Sequence, residues 1–186
     1  MATNNAMVST TDGSVRSMLI SLEQSGGVRL SPLERLLLST DGTVTHMLEV
    51  LTRREVSVRI LDREVSGEQL HRTVALECES ESVPLIWAQS KIQLSPLADA
   101  LARELVDGDI GIGHVLDEEC TETRRTITEM AVRFDDVTYP SFVEGNPASD
   151  PACLLERTYQ IYTADTLIMT ITEFVPKGRL SRYRIR

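Results

Sequence analysis

The chain is poor in the residues that build metal centres and disulfide frameworks. Its three cysteines, Cys78, Cys120 and Cys153, are scattered and form no CxxC pair. Such an odd, widely spaced set is typical of neither a zinc site nor a disulfide-stabilised secreted domain. There are only three histidines and no HExxH motif. We therefore expect no bound metal and a reducing, cytoplasmic location.

Long apolar runs and an excess of positive charge are also absent. No stretch approaches the ~20 apolar residues of a membrane span, and residues 1–22 do not resemble a secretion signal. Lys and Arg number 19 against 28 Asp and Glu, a net charge of −9. This balance disfavours nucleic acid as a partner, because phosphate binding needs clustered cations. A few buried arginines can still bind a small organic anion.

The distribution of polar and apolar residues divides the chain into three parts. Residues 1–30 are rich in Thr, Ser, Asn and Gly and predict a flexible lead or a marginal helix. Residues 31–176 form a single domain that opens on Ser31-Pro32-Leu33-Glu34, a capping box with proline at the first helical position. Within this domain, a stretch with Pro, Gly and Asn from Tyr139 to Pro151 predicts a long loop. Residues 177–186 are a basic C-terminal tail.

Two halves of the domain carry similar motifs in the same order. Ser31-Pro32-Leu33 and Ser95-Pro96-Leu97 each open a predicted helix, and Arg72-Thr73 on a later strand resembles Arg157-Thr158. Each half predicts a helix pair, a strand and a strand hairpin. We therefore expect a duplicated unit that forms a six-stranded antiparallel sheet with helices packed on it, which is an α+β fold.

Three charged residues fall on the apolar side of the predicted strands. Side chains alternate between the two faces of a strand, so Arg72 shares a face with Val74 and Leu76. By the same alternation, Arg157 and Glu173 also point to the apolar side. A buried charge needs a partner. One interpretation is a structural ion pair between Glu173 and one of the arginines. The other is a ligand site in which an arginine fork binds a carboxylate.

Glycines mark the junction inside each predicted helix pair. Gly42 precedes Val44 in the first pair, and Gly111 and Gly113 flank Ile112 at the equivalent place in the second. Free N–H groups at a helix start can bind a carboxylate, and glycine permits a lid. A plain linker between two helices would have the same composition, so both interpretations stay open.

Taken in order, these motifs resemble the chorismate lyases (chorismate pyruvate-lyases), most closely the branch found in mycobacteria and archaea. The resemblance covers about residues 31–176. It rests on Leu36-Leu37-Leu38, Thr43-Val44-Thr45, Arg72, Gly111-Ile112-Gly113, Arg157 and Thr172-Glu173-Phe174-Val175-Pro176. It implies a duplicated fold with a six-stranded antiparallel sheet and an internal product pocket closed by two flaps.

The resemblance also implies a lyase that converts chorismate to 4-hydroxybenzoate and pyruvate without a metal or other cofactor. Arg72 and Glu173 would be catalytic: Arg72 would bind the ring carboxylate, and Glu173 would contact the ring hydroxyl. Arg157 would clamp the enolpyruvyl carboxylate. The expected substrate-binding residues are Val44, Arg72, Ile112, Gly113, Arg157 and Glu173.

An alternative is a non-catalytic sensor module of the same fold that binds a small acid, as in some transcription regulators. The sequence contains no helix-turn-helix with a basic face, which such a regulator needs for DNA. The expected partner is therefore chorismate itself, with no nucleic acid and no membrane span, in a monomer or homodimer.

Overall fold

One antiparallel sheet forms the framework of the protein. The structure, a computed structural model, describes residues 5–10, 13–79, 83–109, 111–118, 122–134 and 153–183. The predicted loop from Tyr139 to Pro151 lies outside these residues. Within the described residues the sheet has seven strands, and all neighbouring strands are antiparallel. The predicted α+β class and antiparallel sheet are confirmed.

A helix pair followed by three strands occurs twice along the chain, after an initial strand and helix. The initial elements are β1 (Ala6–Ser9) and α1 (Val15–Gly26). The first series comprises α2 (Pro32–Ser39), α3 (Val44–Thr52), β2 (Ser57–Ser66), β3 (Gln69–Glu77) and β4 (Ile86–Gln93). The second comprises α4 (Asp99–Asp107), α5 (Ile112–Glu118), β5 (Arg124–Phe134), β6 (Cys153–Thr163) and β7 (Thr166–Pro176), followed by a 3₁₀ turn (Arg179–Arg182). No helix in the described residues is long and apolar enough to span a bilayer.

The strand order is β1-β5-β6-β7-β4-β3-β2, so β7 and β4 join the two series. Two apolar clusters cover one face of this sheet. The first brings residues of α1, α2 and α3 onto the strands, among them Leu22, Leu38, Leu48, Leu76, Leu155 and Val175. The second brings α4 and α5 onto the other end of the same strands, among them Leu101, Leu105, Leu116, Leu70, Ile92 and Met169. The strand positions between the two clusters are the ones that carry charge.

The prediction of six strands is wrong by one. The additional strand, β1, lies in the segment for which the sequence predicts a flexible lead or a marginal helix, and it pairs with the edge of β5. Its four residues are too few for a recognisable alternation. The same segment contains α1, a twelve-residue helix. Ser14 accepts a hydrogen bond from Ser17 N at its start, and Gly27 ends it in the left-handed conformation (φ 61°).

The capping box at the start of α2 is confirmed, and its glutamate also binds the C-terminal segment of the chain. Ser31 Oγ accepts a hydrogen bond from Glu34 N (3.2 Å), and Glu34 Oε2 accepts one from Ser31 N (2.7 Å). The other oxygen, Glu34 Oε1, accepts a hydrogen bond from Gly178 N (2.7 Å). Leu180, two residues later, is only 2% exposed. The beginning of the segment predicted as a basic tail, 177–186, therefore packs against α2, and residues 184–186 lie outside the described part.

Candidate active site

Strand register places the charged side chains in two neighbouring rows across the helix-covered face. In one row, Arg72 on β3 lies opposite Ser90 on β4, which lies opposite Ile171 on β7. In the next row, Ala88 on β4 lies opposite Glu173 on β7, which lies opposite Arg157 on β6. Because cross-strand partners share a face, these residues all point toward the helices.

A cavity of about 70 Å³ lies between these rows and the first residues of α3 and α5. One water needs roughly 10–15 Å³ on this measure, so the cavity has space for a small molecule. The predicted site residues that line it are Val44, Arg72, Ile112, Gly113 and Glu173. The remaining polar side chains of the lining are Thr43, Thr45, Ser90, Arg125 and Tyr159, and the rest are apolar. The structure thus brings together residues from both helix junctions and both halves of the sheet.

The two helix junctions touch each other above the cavity. A Cβ atom built on Gly113 would lie 2.4 Å from Cγ2 of Thr43, a distance that real Cβ atoms do not tolerate. A Cβ atom on Gly111 would lie 3.3 Å from Cγ2 of Val58. The absence of a side chain on Gly113 therefore permits this close approach, which brings the start of α5 onto the residue that precedes α3.

Arg72 is a buried cation in the wall of the cavity, with 2% of its surface exposed. Burial, together with the positive charge of Arg63, lowers the pKa of Arg72 from 12.5 to about 10, and the carboxylate of Asp109 opposes this shift. The guanidinium therefore stays protonated at neutral pH but carries a desolvation cost. A bound carboxylate would offset that cost.

Glu173 is held from both sides by hydrogen bonds. Its Oε2 accepts one from Arg157 Nε (2.8 Å), and its Oε1 accepts one from the hydroxyl of Tyr159 (3.0 Å). Burial and the negative charge of Glu173 raise the pKa of Tyr159 far above its ordinary value of 10, so the phenol remains a neutral donor. The carboxylate is therefore fixed in orientation at the wall of the cavity.

Arg157 lies behind Glu173 and is not among the residues that line the cavity. Its Nη1 donates to the carbonyl oxygens of Leu37 (2.6 Å) and Thr40 (2.7 Å) at the end of α2. Burial by itself lowers the pKa of Arg157, but the negative charge of Glu173, together with its hydrogen bond to the guanidinium, outweighs burial and the net shift is upward. The structural ion-pair interpretation thus applies to this arginine. The geometry does not support its predicted role as a direct clamp on the substrate.

Five polar residues of the lining, Arg125 and Tyr159 among them, were not predicted as site residues from the sequence. Tyr159 and Arg125 lie on strands β6 and β5, and both follow the period-two alternation that identified Arg72. Arg125 shares its face with Ile127, so the signal was present in the sequence. No cluster of three or more His, Cys, Asp or Glu that could hold a metal occurs within the described ranges.

The α+β fold thus places one cavity between its sheet and its helices, with a volume that suits a small molecule. The chain belongs to the Rv2949c-like chorismate pyruvate-lyase family, which it matches over residues 38–184. It is also 32% identical over 153 residues to "Putative lyase MJ0807" of Methanocaldococcus jannaschii, and this match covers 79% of the chain and 80% of the relative. The resemblance seen in the sequence is therefore confirmed, and the family is one of lyases.

Solved structures with a similar arrangement are more distant in sequence. The effector domain of PhnF from Mycobacterium smegmatis is 15% identical, with a TM-score of 0.49 and coverage of 74% of this chain and 89% of that one. The C-terminal domain of Yurk from Bacillus subtilis is 13% identical, with a TM-score of 0.40 and coverage of 67% and 89%.

Proposed function

We propose that the protein is a chorismate pyruvate-lyase that forms 4-hydroxybenzoate and pyruvate in the cavity under α3 and α5. The observation that carries this proposal is the pairing of Arg72 and Glu173 in the wall of one small cavity. Arg72 would bind the ring carboxylate, and Glu173 would accept a hydrogen bond from the ring hydroxyl. Membership of a family named for this reaction supports the proposal.

The spacing of the two residues suits a para-substituted ring. Arg72 and Glu173 are two strands apart and differ by two residues along the strand direction. At ~4.8 Å between strands and ~3.4 Å per residue, their Cα atoms are about 12 Å apart. Both side chains line the same cavity, so a ring held between them would meet Arg72 on one side and Glu173 on the other. The carboxylate and hydroxyl of 4-hydroxybenzoate lie at opposite ends of such a ring.

The reaction needs orientation more than a strong chemical catalyst. The bond between the ring and the ether oxygen breaks, and the enolpyruvyl group leaves with the electron pair. The hydroxyl-bearing carbon loses its hydrogen as a proton, so the ring becomes aromatic. Enolpyruvate gains a proton at its methylene carbon and becomes pyruvate, which balances the reaction. Holding the anion in the reactive geometry and excluding water are tasks that this cavity can perform.

The hydrogen bonds behind Glu173 support its proposed role. Arg157 forms an ion pair with the carboxylate of Glu173, and Tyr159 fixes the orientation of Oε1. Each oxygen of Glu173 keeps a second lone pair that can accept a hydrogen bond from a ligand hydroxyl. Arg157 and Tyr159 would therefore act as positioning residues.

The test is the turnover of chorismate by the purified protein in the presence of a metal chelator. We expect stoichiometric release of 4-hydroxybenzoate and pyruvate, followed by chromatography and by a coupled pyruvate assay. The Arg72→Met variant, measured in the same way, should show no turnover. If the wild-type protein binds 4-hydroxybenzoate tightly but converts no chorismate, the proposal is wrong and a non-catalytic module that binds a small acid is favoured instead.

A further inference from the structure

Arg125, on β5, is a second cation in the wall of the cavity. Its Nη1 donates to the carbonyl oxygen of Asp41 (3.0 Å) and lies 3.5 Å from Oγ1 of Thr43. Its Nε is buried and has no hydrogen-bond acceptor in the part of the chain that the structure describes. The guanidinium thus contacts the segment that precedes α3 and keeps a donor toward the interior.

The charges of the cavity match a ligand with two negative groups. Among the described residues that line it, the only carboxylate is Glu173, and the buried Arg157 balances that charge. Arg125 adds a positive charge to the lining for which the described lining residues hold no further carboxylate. Because the proposed function assigns Arg72 to the ring carboxylate, a second carboxylate on the ligand would balance the charge of Arg125.

The two arginines come to the cavity from different parts of the sheet. β3 and β5 are four inter-strand steps apart, which is about 19 Å at ~4.8 Å per step. Both side chains line the same cavity, so they offer a ligand two separate cationic positions. The positive charge of Arg125 also acts on the hydroxyl of Tyr159, which lines the cavity between them.

We propose that Arg125 binds the second carboxylate of the substrate, the one that leaves with pyruvate, and so makes the cavity selective for a dicarboxylate. This inference rests on the proposed function for the identity of the substrate, but its charge argument concerns any dicarboxylate of similar size. It assigns to Arg125 the role that the sequence had suggested for Arg157.

The test compares ligands with one and with two carboxylates in the Arg125→Met variant. Arg124→Met is the matched control, because Arg124 is the adjacent residue, is exposed, and lies over the ring of Tyr162 outside the cavity lining. We expect Arg125→Met to raise the KM for chorismate at least tenfold. It should change the inhibition constant of 4-hydroxybenzoate less than twofold, and Arg124→Met should change neither value more than twofold.

Calorimetry separates this inference from the proposed function. A stable aromatic analogue, benzoate with a carboxyvinyloxy ether, carries both carboxylates and needs no turnover. The wild-type protein should bind it at least tenfold more tightly than benzoate, and Arg125→Met should lose this preference. If chorismate is not converted but the preference depends on Arg125, only the proposed function fails.

Two results would overturn the inference. One is an equal loss of affinity for benzoate and for its dicarboxylate analogue in Arg125→Met, which would indicate a general effect on the cavity or on the α3 junction. The other is an unchanged preference. If Arg125→Met does not fold, Arg125→Lys replaces it. The retained charge should preserve at least part of the preference for the dicarboxylate. Complete loss of this preference in a folded Arg125→Lys protein would overturn the inference that the charge is the cause.

Discussion

Replacing Arg72 by methionine should separate a ligand-binding cation from a structural one. Methionine keeps a long unbranched side chain and removes the charge. The pKa of Arg72 falls from 12.5 to about 10 on burial. At ~1.4 kcal/mol per pKa unit, the folded state carries a penalty of order 3 kcal/mol for holding this charge. Loss of packing and polar contacts offsets part of that gain. We therefore expect Arg72→Met to raise the free energy of unfolding by about 1–3 kcal/mol at pH 7 while it abolishes turnover.

The way in which the stability difference between Arg72→Met and the wild-type protein changes with pH follows from the lowered pKa of Arg72. The pKa of Arg72 is lower in the folded than in the unfolded state, so its penalty is fully present below about pH 10. The penalty declines as the pH rises above that value. The stability advantage of Arg72→Met should therefore be constant through neutral pH and should shrink in the alkaline range.

Urea unfolding followed by tryptophan fluorescence measures this effect directly. Trp87 is the single tryptophan of the chain and is 1% exposed, so its emission reports loss of the sheet. Arg59→Met is the control, because Arg59 is half-exposed and forms an ion pair with Glu77 at the surface. It should change stability by no more than ~0.5 kcal/mol.

A second measurement, with bound ligand, makes the test independent of the absolute free energies of unfolding. At a hundred times its dissociation constant, 4-hydroxybenzoate should stabilise the wild-type protein by about 2.7 kcal/mol and should not stabilise Arg72→Met. The reasoning is refuted if Arg72→Met loses ~3–5 kcal/mol of stability, the cost of breaking a buried ion pair. It is equally refuted if the folded variant retains turnover.

Two further predictions concern Glu173 and the contact between the helix junctions. Glu173→Gln should abolish turnover and lower the free energy of unfolding by about 3 kcal/mol, because it leaves Arg157 buried without its counter-charge. Adding Arg157→Met should restore most of the unfolding midpoint but none of the activity. Recovered activity would show that Glu173 is only structural. Gly113→Ala should push Thr43 away and weaken inhibition by 4-hydroxybenzoate several-fold, since the added Cβ would lie 2.4 Å from Cγ2 of Thr43. Thr43→Ser removes that methyl group, so the double variant should regain the wild-type inhibition constant; failure to do so would mean that the junctions do not act as a lid.

Local patterns in the sequence were sufficient for most of the elements after Ser31 and for the faces of their side chains. The capping box between Ser31 and Glu34 involves residues three apart, so it is readable without knowledge of the fold. Strand alternation likewise placed Arg72 and Glu173 on the apolar side, because the direction of a side chain depends only on its position along the strand. A local signal also misled: Ser95-Pro96 predicts a helix start, but α4 begins at Asp99, after a turn.

The partners of the charged residues were decided by tertiary structure. Thr163 pairs with Thr166 beside the β6–β7 turn, and an unbroken ladder from there would set Arg157 opposite Thr172. A one-residue register shift between Ile161 and Tyr162 instead sets Arg157 opposite Glu173. The carboxylate is thereby bonded to Arg157, and Arg72 lies in the neighbouring row, opposite Ser90.

Sheet order decided the rest of the site. Arg125 and Arg72 reach one cavity only because β5 and β3 lie on opposite sides of the central pair β7–β4. β1 belongs to the sheet only because it pairs with the edge of β5. Alternation, caps and turns act over two to four residues, and a single chain reports them directly. Strand order and register depend on packing between segments tens of residues apart, where many arrangements satisfy the same local pattern and only the collective burial of the core selects one.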